Sequence, residues 1–120
     1  MANVLTVDDS VSLRKLVATT LATAGHHVTE ASNGAEGLEQ LKTRAFNLII
    51  SDINMPVMDG LTFIKHVRVL AAYKFVPILV LTTEMDPAKK KQAKDSGATG
   101  WLVKPFDPET LLNTIRKVLG

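Results

Sequence analysis

The chain has 120 residues, of which 46% are hydrophobic, a composition that argues against disorder and favours one globular domain with a single core. The 14 Lys and Arg residues nearly balance 12 Asp and Glu residues, so a formal net charge of +2 does not suggest a nucleic-acid-binding protein. The lack of cysteine excludes disulfides and thiolate metal sites. Because the apolar runs are too short to span a membrane and none resembles a secretory signal, we expect a cytoplasmic domain.

Hydrophobic periodicity predicts that strands and helices alternate along the whole chain. The predicted strands are residues 4–7, 27–30, 46–51, 77–81 and 100–103. The predicted helices begin after Ser10, Asn33, Gly60, Asp86 and Asp107. Ser10, Asp86-Pro87 and Asp107-Pro108 are N-terminal capping signals, and Gly25 and Gly97 suit the positions just past helix ends.

The strands differ in polarity, and this predicts where each lies in the sheet. The second strand is the most polar, which is typical of a sheet edge, whereas the third and fourth are apolar enough to be buried on both faces. Helical spacing assigns inward positions to Leu13, Leu16, Val17 and Leu21, to Leu38 and Leu41, to Leu61, Ile64, Val67 and Leu70, and to Leu111, Leu112, Ile115, Val118 and Leu119. Five strands alternating with five helices predict an α/β fold, a doubly wound parallel sheet covered by helices on both faces.

The fourth helix carries a cluster of lysines and little apolar surface beyond Ala88 and Ala93. The cluster consists of Lys89, Lys90, Lys91 and Lys94. A solvated helix face explains such a cluster without any function, and contact with a partner is the alternative. Weak burial also predicts that this helix is among the less stable elements, which suits a moving part.

Side chains that can do chemistry follow the predicted strands directly. Asp8 and Asp9 follow the first strand, Asp52 the third, Thr82 the fourth and Lys104 the fifth. Because the carboxyl ends of parallel strands share one rim of the sheet, we expect these groups to converge in one crevice. The alternative for each acid taken alone is a role in helix capping or in a turn.

Three neighbouring carboxylates repel one another, and a hard divalent cation relieves that repulsion. Oxygen-only ligands favour Mg²⁺, which binds one or two carboxylates together with phosphate oxygens. Lys104 and Thr82 add an ammonium and a hydroxyl beside Asp52, the groups needed to neutralise a transferring phosphoryl group. The residues therefore predict that Asp52 is a nucleophile that forms an aspartyl-phosphate.

The combined motifs resemble the receiver domains of bacterial two-component response regulators, most closely those that act as stand-alone chemotaxis regulators. The likeness is carried by Asp8-Asp9, by residues 51–60, by residues 81–84 and by Lys104-Pro105-Phe106. It spans the whole chain, and although each piece is weak, the combination is specific. The resemblance implies a flavodoxin-like sheet with strand order 2-1-3-4-5 in a single receiver domain, residues 1–120, without an output domain.

The resemblance also implies a role for each matching residue. Asp52 would be the phosphoacceptor, and Asp8, Asp9 and the backbone carbonyl of Asn54 would bind Mg²⁺ with it. Lys104 would contact the phosphoryl group and precede a cis peptide bond. Thr82 would be the switch hydroxyl, Asn54 and Glu84 would tune loss of the phosphoryl group, and Trp101 would be the switch aromatic. Trp101 departs from the usual Tyr or Phe, so a packed strand residue without a switching role is the alternative there.

The resemblance further implies a phosphorylation-activated switch that is not an enzyme and that assists its own phosphorylation and dephosphorylation. A chemotaxis-type histidine kinase would be the phosphodonor, a flagellar motor switch protein the target, and a phosphatase a further partner. Neither nucleic acid nor membrane is expected as a partner, and the chain is expected to be a monomer.

Three other interpretations of the same residues remain. A Mg²⁺-dependent phosphohydrolase also uses an aspartyl nucleophile, but it commonly has Asp where this chain has Asn54. A flavin-binding module would need a phosphate loop after the first strand, where Asp8-Asp9 would repel phosphate. A degenerate receiver could serve as a scaffold, which the intact set of acids argues against.

Overall fold

The computed structural model describes residues 2–83 and 87–119 and contains a parallel five-stranded sheet with helices on both faces. The strands are β1 Asn3–Val7, β2 His27–Ala31, β3 Leu48–Asp52, β4 Ile78–Thr82 and β5 Gly100–Val103. The helices are α1 Val11–Thr23, α2 Gly34–Thr43, α3 Gly60–Arg68, α4 Pro87–Ser96 and α5 Pro108–Leu119, and a 3-10 turn spans Ala71–Tyr73. The predicted alternation is confirmed, and the 3-10 turn was not predicted.

The strand order is β2-β1-β3-β4-β5, as the resemblance implied. β2 lies at an edge, and β3 and β4 are buried along their whole length, so these predictions from strand polarity are confirmed. The chain crosses from one side of β1 to the other between β2 and β3, which makes the gap between β1 and β3 the switch point of the sheet. Ligand crevices of such sheets open at that point, outside the carboxyl ends of the strands.

Alternate strand residues supply two separate cores. Leu5 and Ile49 face a core beneath α2, α3 and α4, whereas Val4, Leu48 and Ile50 face the core beneath α1 and α5. Burial of both faces explains why the central strands are nearly continuous runs of apolar residues. None of the helices within the described residues combines the length and the apolar character that a bilayer crossing requires.

The inward face predicted for α1 was partly wrong. Val17 and Leu21 are fully buried, but Leu16 is 45% exposed. Val17 and Leu21 lie in one row at four-residue spacing and pack into the core beneath α1 and α5, whereas Leu13, one turn earlier in the same row, is half-buried. Leu16 lies about a quarter turn away from it, on the solvent side.

The inward face of α3 was also predicted incompletely. Phe63 is fully buried beside Ile64 and Val67, and its ring lies so close to Gly37 of α2 that a Cβ there would be 2.9 Å from it. Leu70 was assigned to this helix, but α3 ends at Arg68 and Leu70 is exposed.

The faces of α2 and α5 largely agree with the prediction. Leu41, Leu111 and Ile115 are buried, and Leu38, Leu112 and Val118 pack partly against the two cores. Leu119, at the last described position of α5, is exposed and was wrongly assigned inward.

An ion-pair cluster joins the edge strand to α1 and predicts a pH-dependent stability. Glu30 accepts from Arg14 Nε at 3.0 Å and from Lys15 Nζ at 2.8 Å, and these bonds hold the pKa of Glu30 below its usual 4.5. A lowered carboxyl pKa stabilises the fold above pH 4.5, and that contribution is lost as the pH falls through the folded-state pKa. We expect Glu30→Gln to lower the free energy of unfolding by about 1 kcal/mol at pH 7.

Urea unfolding at several pH values tests this expectation. The difference between Glu30→Gln and the parent should vanish toward pH 3. Glu39→Gln is the matched control, because the pair that Glu39 forms with Lys42 is exposed on both sides and should contribute little. A loss of stability that stays constant down to acidic pH would contradict the electrostatic explanation.

Candidate functional site

The carboxylates after β1 and β3 converge, as predicted. Asp8, Asp9 and Asp52 each place one carboxylate oxygen within 4.8 Å of the others. Their proximity follows from sheet register, because Val7 pairs with Ser51 and the next residue of each strand emerges at the same rim. We call this cluster of three carboxylates the acid pocket.

Asp8 is the most buried member of the acid pocket, with a side chain only 1% exposed. Its Oδ1 accepts from the Ser10 backbone N–H at 2.9 Å, and its Oδ2 is a buried atom without a hydrogen-bond partner among the described residues. Burial raises the pKa of the Asp8 carboxyl, and the charges of Asp52 and Asp9 raise it further. An orphaned, buried carboxylate oxygen beside two other acids fits a hard cation bound through oxygen.

Asp52 is the last residue of β3, and the loop that follows holds its side chain. The Ile53 backbone N–H donates to Asp52 Oδ1 at 2.8 Å, and Lys104 Nζ lies 3.2 Å from the same oxygen. Gly60 starts α3 against the backbone of this strand end, and its N–H donates to the Ile53 carbonyl at 2.7 Å. The loop between Asp52 and Gly60 is therefore closed by short backbone contacts.

Lys104 reaches the acid pocket from the end of β5, as predicted. Its backbone N–H donates to the Thr82 carbonyl at 2.8 Å, which ties the end of β5 to the end of β4. Its ammonium lies 3.6 Å from Asp8 Oδ2 in addition to its contact with Asp52, and its side chain is 16% exposed. The Lys104-Pro105 peptide bond is cis, as the resemblance implied.

Thr82 and Trp101 lie on the neighbouring strands β4 and β5. Thr82 is the buried last residue of β4, and Trp101 is half-buried on β5, next to a small cavity that both residues line. Lys90 of α4 places its ammonium 4.8 Å from the centre of the Trp101 ring, a cation–π geometry. The lysine cluster is thus not uniformly solvated, because Lys89 and Lys90 are half-buried while Lys91 and Lys94 are exposed.

Asn54 and Glu84 were assigned to tune dephosphorylation, and only Asn54 lies within the described residues. Asn54 is exposed in the loop two residues after Asp52, so its side chain is accessible beside the acid pocket. Its backbone carbonyl as a metal ligand stays a prediction. Glu84 lies outside the described residues, as does the helix cap predicted at Asp86.

Sequence reasoning missed two features, a side chain that holds the site and a backbone conformation in the loop after Asp52. Arg14 donates to the Asp8 backbone carbonyl at 2.7 Å while it pairs with Glu30, so it braces the chain that carries Asp8 and Asp9. An arginine one turn into a helix that follows an acid pair was the available signal. Val57 has a φ of 71°, a left-handed conformation that a β-branched residue rarely adopts, and no sequence signal indicated it.

The doubly wound sheet carries an acid pocket at its switch point, and Lys104 contacts Asp52 within that pocket. This arrangement defines a phosphoacceptor protein of the two-component type. Comparison with known proteins agrees, because the family model "Response regulator receiver domain" matches residues 4–116. The chain belongs to the response regulator receiver domain family. As a receiver domain it is a phosphorylation-activated switch, and its acidic cluster corresponds to the divalent-metal site typical of that family.

Individual relatives cover nearly the whole chain. It is 39% identical over 118 residues to the chemotaxis protein CheY1 of Helicobacter pylori, covering 97% of this chain and 95% of that protein. It is also 39% identical to a CheY homolog of Campylobacter jejuni, covering 97% and 91%. The solved structure of the chemotaxis response regulator CheY4 of Vibrio cholerae superimposes with a TM-score of 0.95, 56% identity and 98% coverage of both chains. Family membership favours the receiver over the phosphohydrolase and flavin-binding alternatives.

Proposed function

We propose that this chain is a cytoplasmic chemotaxis switch that receives a phosphoryl group on Asp52 from a histidine kinase and signals by binding a partner protein. The observation that carries the proposal is the contact of Lys104 Nζ with Asp52 Oδ1 at 3.2 Å inside a cluster of three carboxylates. The three relatives named above are chemotaxis proteins, and this supports the choice of pathway.

Asp52 acts as the nucleophile in this proposal. Its Oδ1 is engaged by the Ile53 N–H and by Lys104, whereas Oδ2 has none of the described hydrogen bonds and is the atom we assign to attack. The new O–P bond forms as the P–N bond of the phosphohistidine breaks, and the electron pair leaves on the imidazole nitrogen. The Lys104 ammonium, held between Asp52 and Asp8, is placed to neutralise charge on the phosphoryl oxygens.

The acid pocket fits Mg²⁺, with Asp8, Asp9, Asp52 and the Asn54 carbonyl as the residues that would hold it. Bound there, the ion would offset the charge of the carboxylates and of the incoming phosphoryl oxygens. Asp8 favours such an ion because burial leaves its Oδ2 without a hydrogen bond. Arg14 and Ser10 hold the backbone and Oδ1 of Asp8, so the acid is positioned before any ligand arrives.

Phosphorylation would act on β4, β5 and α4. The added charge at the rim attracts the Thr82 hydroxyl, and the Trp101 ring follows into the space beside it. Because α4 has little buried apolar surface and covers Trp101 through Lys90, this helix is the element most easily displaced. The surface of α4, β5 and α5 would then bind a flagellar motor switch protein, and Asn54 and Glu84 would set the rate of self-dephosphorylation, with or without a phosphatase.

The test is to incubate the chain with acetyl phosphate and Mg²⁺ and to follow its mass. We expect one phosphoryl group per chain, none on Asp52→Asn and none when the divalent ion is chelated. In parallel, beryllofluoride with Mg²⁺ should change the emission of Trp101, the only tryptophan. Rapid multiple turnover without a covalent label would indicate a phosphohydrolase, and a label that survives Asp52→Asn would overturn the assignment of the phosphoacceptor.

A further inference from the structure

The carboxylates of the acid pocket are not held equally firmly by their surroundings. Asp8 is buried, its Oδ1 accepts from the Ser10 backbone N–H, and its own N–H donates to the Ala31 carbonyl at 3.1 Å. Asp9 is exposed, and no hydrogen bond or ion pair to another described residue holds its carboxylate. The position of the Asp9 carboxylate in the acid pocket therefore depends on the backbone that carries it.

Arg14 holds the peptide group that joins Asp8 to Asp9. Its Nη1 donates to the Asp8 carbonyl oxygen at 2.7 Å, a short hydrogen bond strengthened by the charge of the donor. Because a peptide group is planar, the direction of that carbonyl fixes the plane that contains the nitrogen and the Cα of Asp9. The point from which the Asp9 side chain leaves the backbone is therefore set by a contact with α1.

The Arg14 side chain is itself held in place. Its Nε donates to Glu30 Oε1 at 3.0 Å while Nη1 donates to the Asp8 carbonyl, and both donors belong to one planar guanidinium. Lys15 in turn holds the other oxygen of Glu30 at 2.8 Å. Because the Arg14 side chain is only 12% exposed, water competes little for either of its bonds. A chain of contacts thus runs from β2 through α1 to the acid pocket.

We propose that Arg14 is a positioning residue for divalent-cation binding, which orients the Asp8–Asp9 peptide so that the Asp9 carboxylate shares one pocket with Asp8 and Asp52. The role assigned to Arg14 rests on the proposed function, because it takes the acid pocket to be a Mg²⁺ site. Groups that orient metal ligands without touching the metal commonly change its affinity by about 10–100-fold. The ion pair with Glu30 serves to hold the guanidinium against the Asp8 carbonyl.

The charge of Arg14, taken alone, predicts the opposite effect on Mg²⁺ affinity. A guanidinium near a cation site repels the cation, so its removal would tighten binding if only charge mattered. Removal of the negative charge of Glu30 would then weaken binding. If Arg14 acts by positioning, its own removal weakens binding, whereas Glu30→Gln has little effect because glutamine keeps an oxygen that accepts from Arg14 Nε.

The test is a Mg²⁺ titration of the unphosphorylated chain, followed by the backbone amide resonances of Asp9 and Ile53 on two sides of the acid pocket. We expect Arg14→Met to raise the dissociation constant about tenfold and Glu30→Gln to leave it within about twofold of the parent. Both variants lose the ion pair between α1 and β2, so a general loss of stability would affect them alike.

Two further variants complete the comparison. Arg14→Lys keeps a cation beside Glu30 and so protects the fold, but it lacks the two-pronged guanidinium and should raise the dissociation constant about threefold. Arg116→Met makes the same change as Arg14→Met at an exposed arginine of α5 and should bind Mg²⁺ as the parent does.

Labelling by acetyl phosphate gives a second readout, in which affinity and rate are separated. Arg14→Met should need about tenfold more Mg²⁺ for half-maximal labelling and should reach the rate of the parent at saturating Mg²⁺. Full recovery is expected because Asp52 and Lys104 are unchanged in this variant. A rate that stays low at saturating Mg²⁺ would overturn the assignment to cation binding.

Three results of the titration would also overturn the proposal. They are an affinity equal to that of the parent in every folded Arg14 variant, tighter binding by Arg14→Met, and equal weakening in Arg14→Met and Glu30→Gln. A parent chain that binds Mg²⁺ but takes no label would refute the phosphoacceptor and leave the affinities to decide on Arg14. A parent chain that binds no Mg²⁺ would refute the acid pocket as a metal site and the role of Arg14 with it.

Discussion

Gly60→Ala should lower the free energy of unfolding by about 3 kcal/mol, because the added methyl group has no space between α3 and the end of β3. A Cβ at this position would overlap the carbonyl oxygen of Asp52 and lie 2.7 Å from the Cα of Ile53. Both are backbone atoms, which cannot rotate away as a flexible side chain would. Inside a helix, alanine is favoured over glycine by about 1 kcal/mol. A net loss of stability in Gly60→Ala would therefore come from the steric conflict.

Urea unfolding of Gly60→Ala beside Gly100→Ala measures this effect. Gly100→Ala is the matched control, because the nearest atom to its added Cβ is 3.7 Å away, an ordinary contact. We expect the control to stay within about 1 kcal/mol of the parent. The Gly60 variant should also lose its response to beryllofluoride, since the clash displaces the strand end that carries Asp52. An unchanged unfolding midpoint for Gly60→Ala would show that the strand end and α3 can separate at little cost.

The strands were predictable because burial on both faces leaves an unambiguous apolar run. β3 and β4 consist entirely of buried residues, and polar residues mark where each of them ends. The same polar residues supplied the site, since parallel strands bring their carboxyl ends to one rim without further information. Asp8, Asp52 and Lys104 could therefore be assigned together before their distances were known.

Helix faces were less predictable, because the orientation of a helix about its axis depends on what packs against it. Leu16 fits helical spacing as well as Val17 does, and only the contact of α1 with the sheet distinguishes them. Phe63 was missed although it lies four residues before Val67, at helical spacing, so the periodic signal was present. Its close approach to Gly37 of α2 is a tertiary contact that the sequence alone does not indicate.

Contacts between side chains and backbone carbonyls were beyond sequence reasoning altogether. The Arg68 guanidinium donates to the Gly97 carbonyl at 2.7 and 3.0 Å and to the Tyr73 carbonyl at 3.0 Å, so it joins α3, the 3-10 turn and the end of α4. Carbonyl acceptors are identical at every residue, and nothing in the sequence distinguishes the ones that Arg68 will bind. The cation–π contact of Lys90 with Trp101 was hidden for a similar reason, because four lysines of one helix were equally good candidates.

Lys104→Met should destabilise the metal-free chain by about 3 kcal/mol at neutral pH, because the ammonium is the cation that offsets the charge of Asp8 and Asp52. Methionine keeps the aliphatic volume and removes the charge, so the effect is electrostatic. Lys104 lowers the pKa of the Asp8 carboxyl, and burial already raises that pKa. Without Lys104 the pKa of Asp8 should rise further.

The loss of stability in Lys104→Met should depend on pH, because it follows from the raised pKa of Asp8. A carboxyl whose folded-state pKa is raised destabilises the fold at high pH, and the penalty disappears as the pH falls through that pKa. The stability lost in Lys104→Met should therefore be largest at neutral and alkaline pH and shrink on acidification. Mg²⁺ should restore part of it, since a divalent cation in the acid pocket takes over the role of the ammonium.

A double-mutant cycle separates this electrostatic cause from a general loss of packing. Asp8→Asn removes one of the two charges that Lys104 offsets, so Lys104→Met should cost about 1–2 kcal/mol less when Asp8 is already Asn. Lys91→Met is the matched control, because its exposed ion pair with Asp95 should contribute less than about 0.5 kcal/mol. A loss of stability in Lys104→Met that did not change with pH, with Mg²⁺ or with Asp8→Asn would contradict this explanation. It would show that Lys104 stabilises the fold by packing and not by its charge.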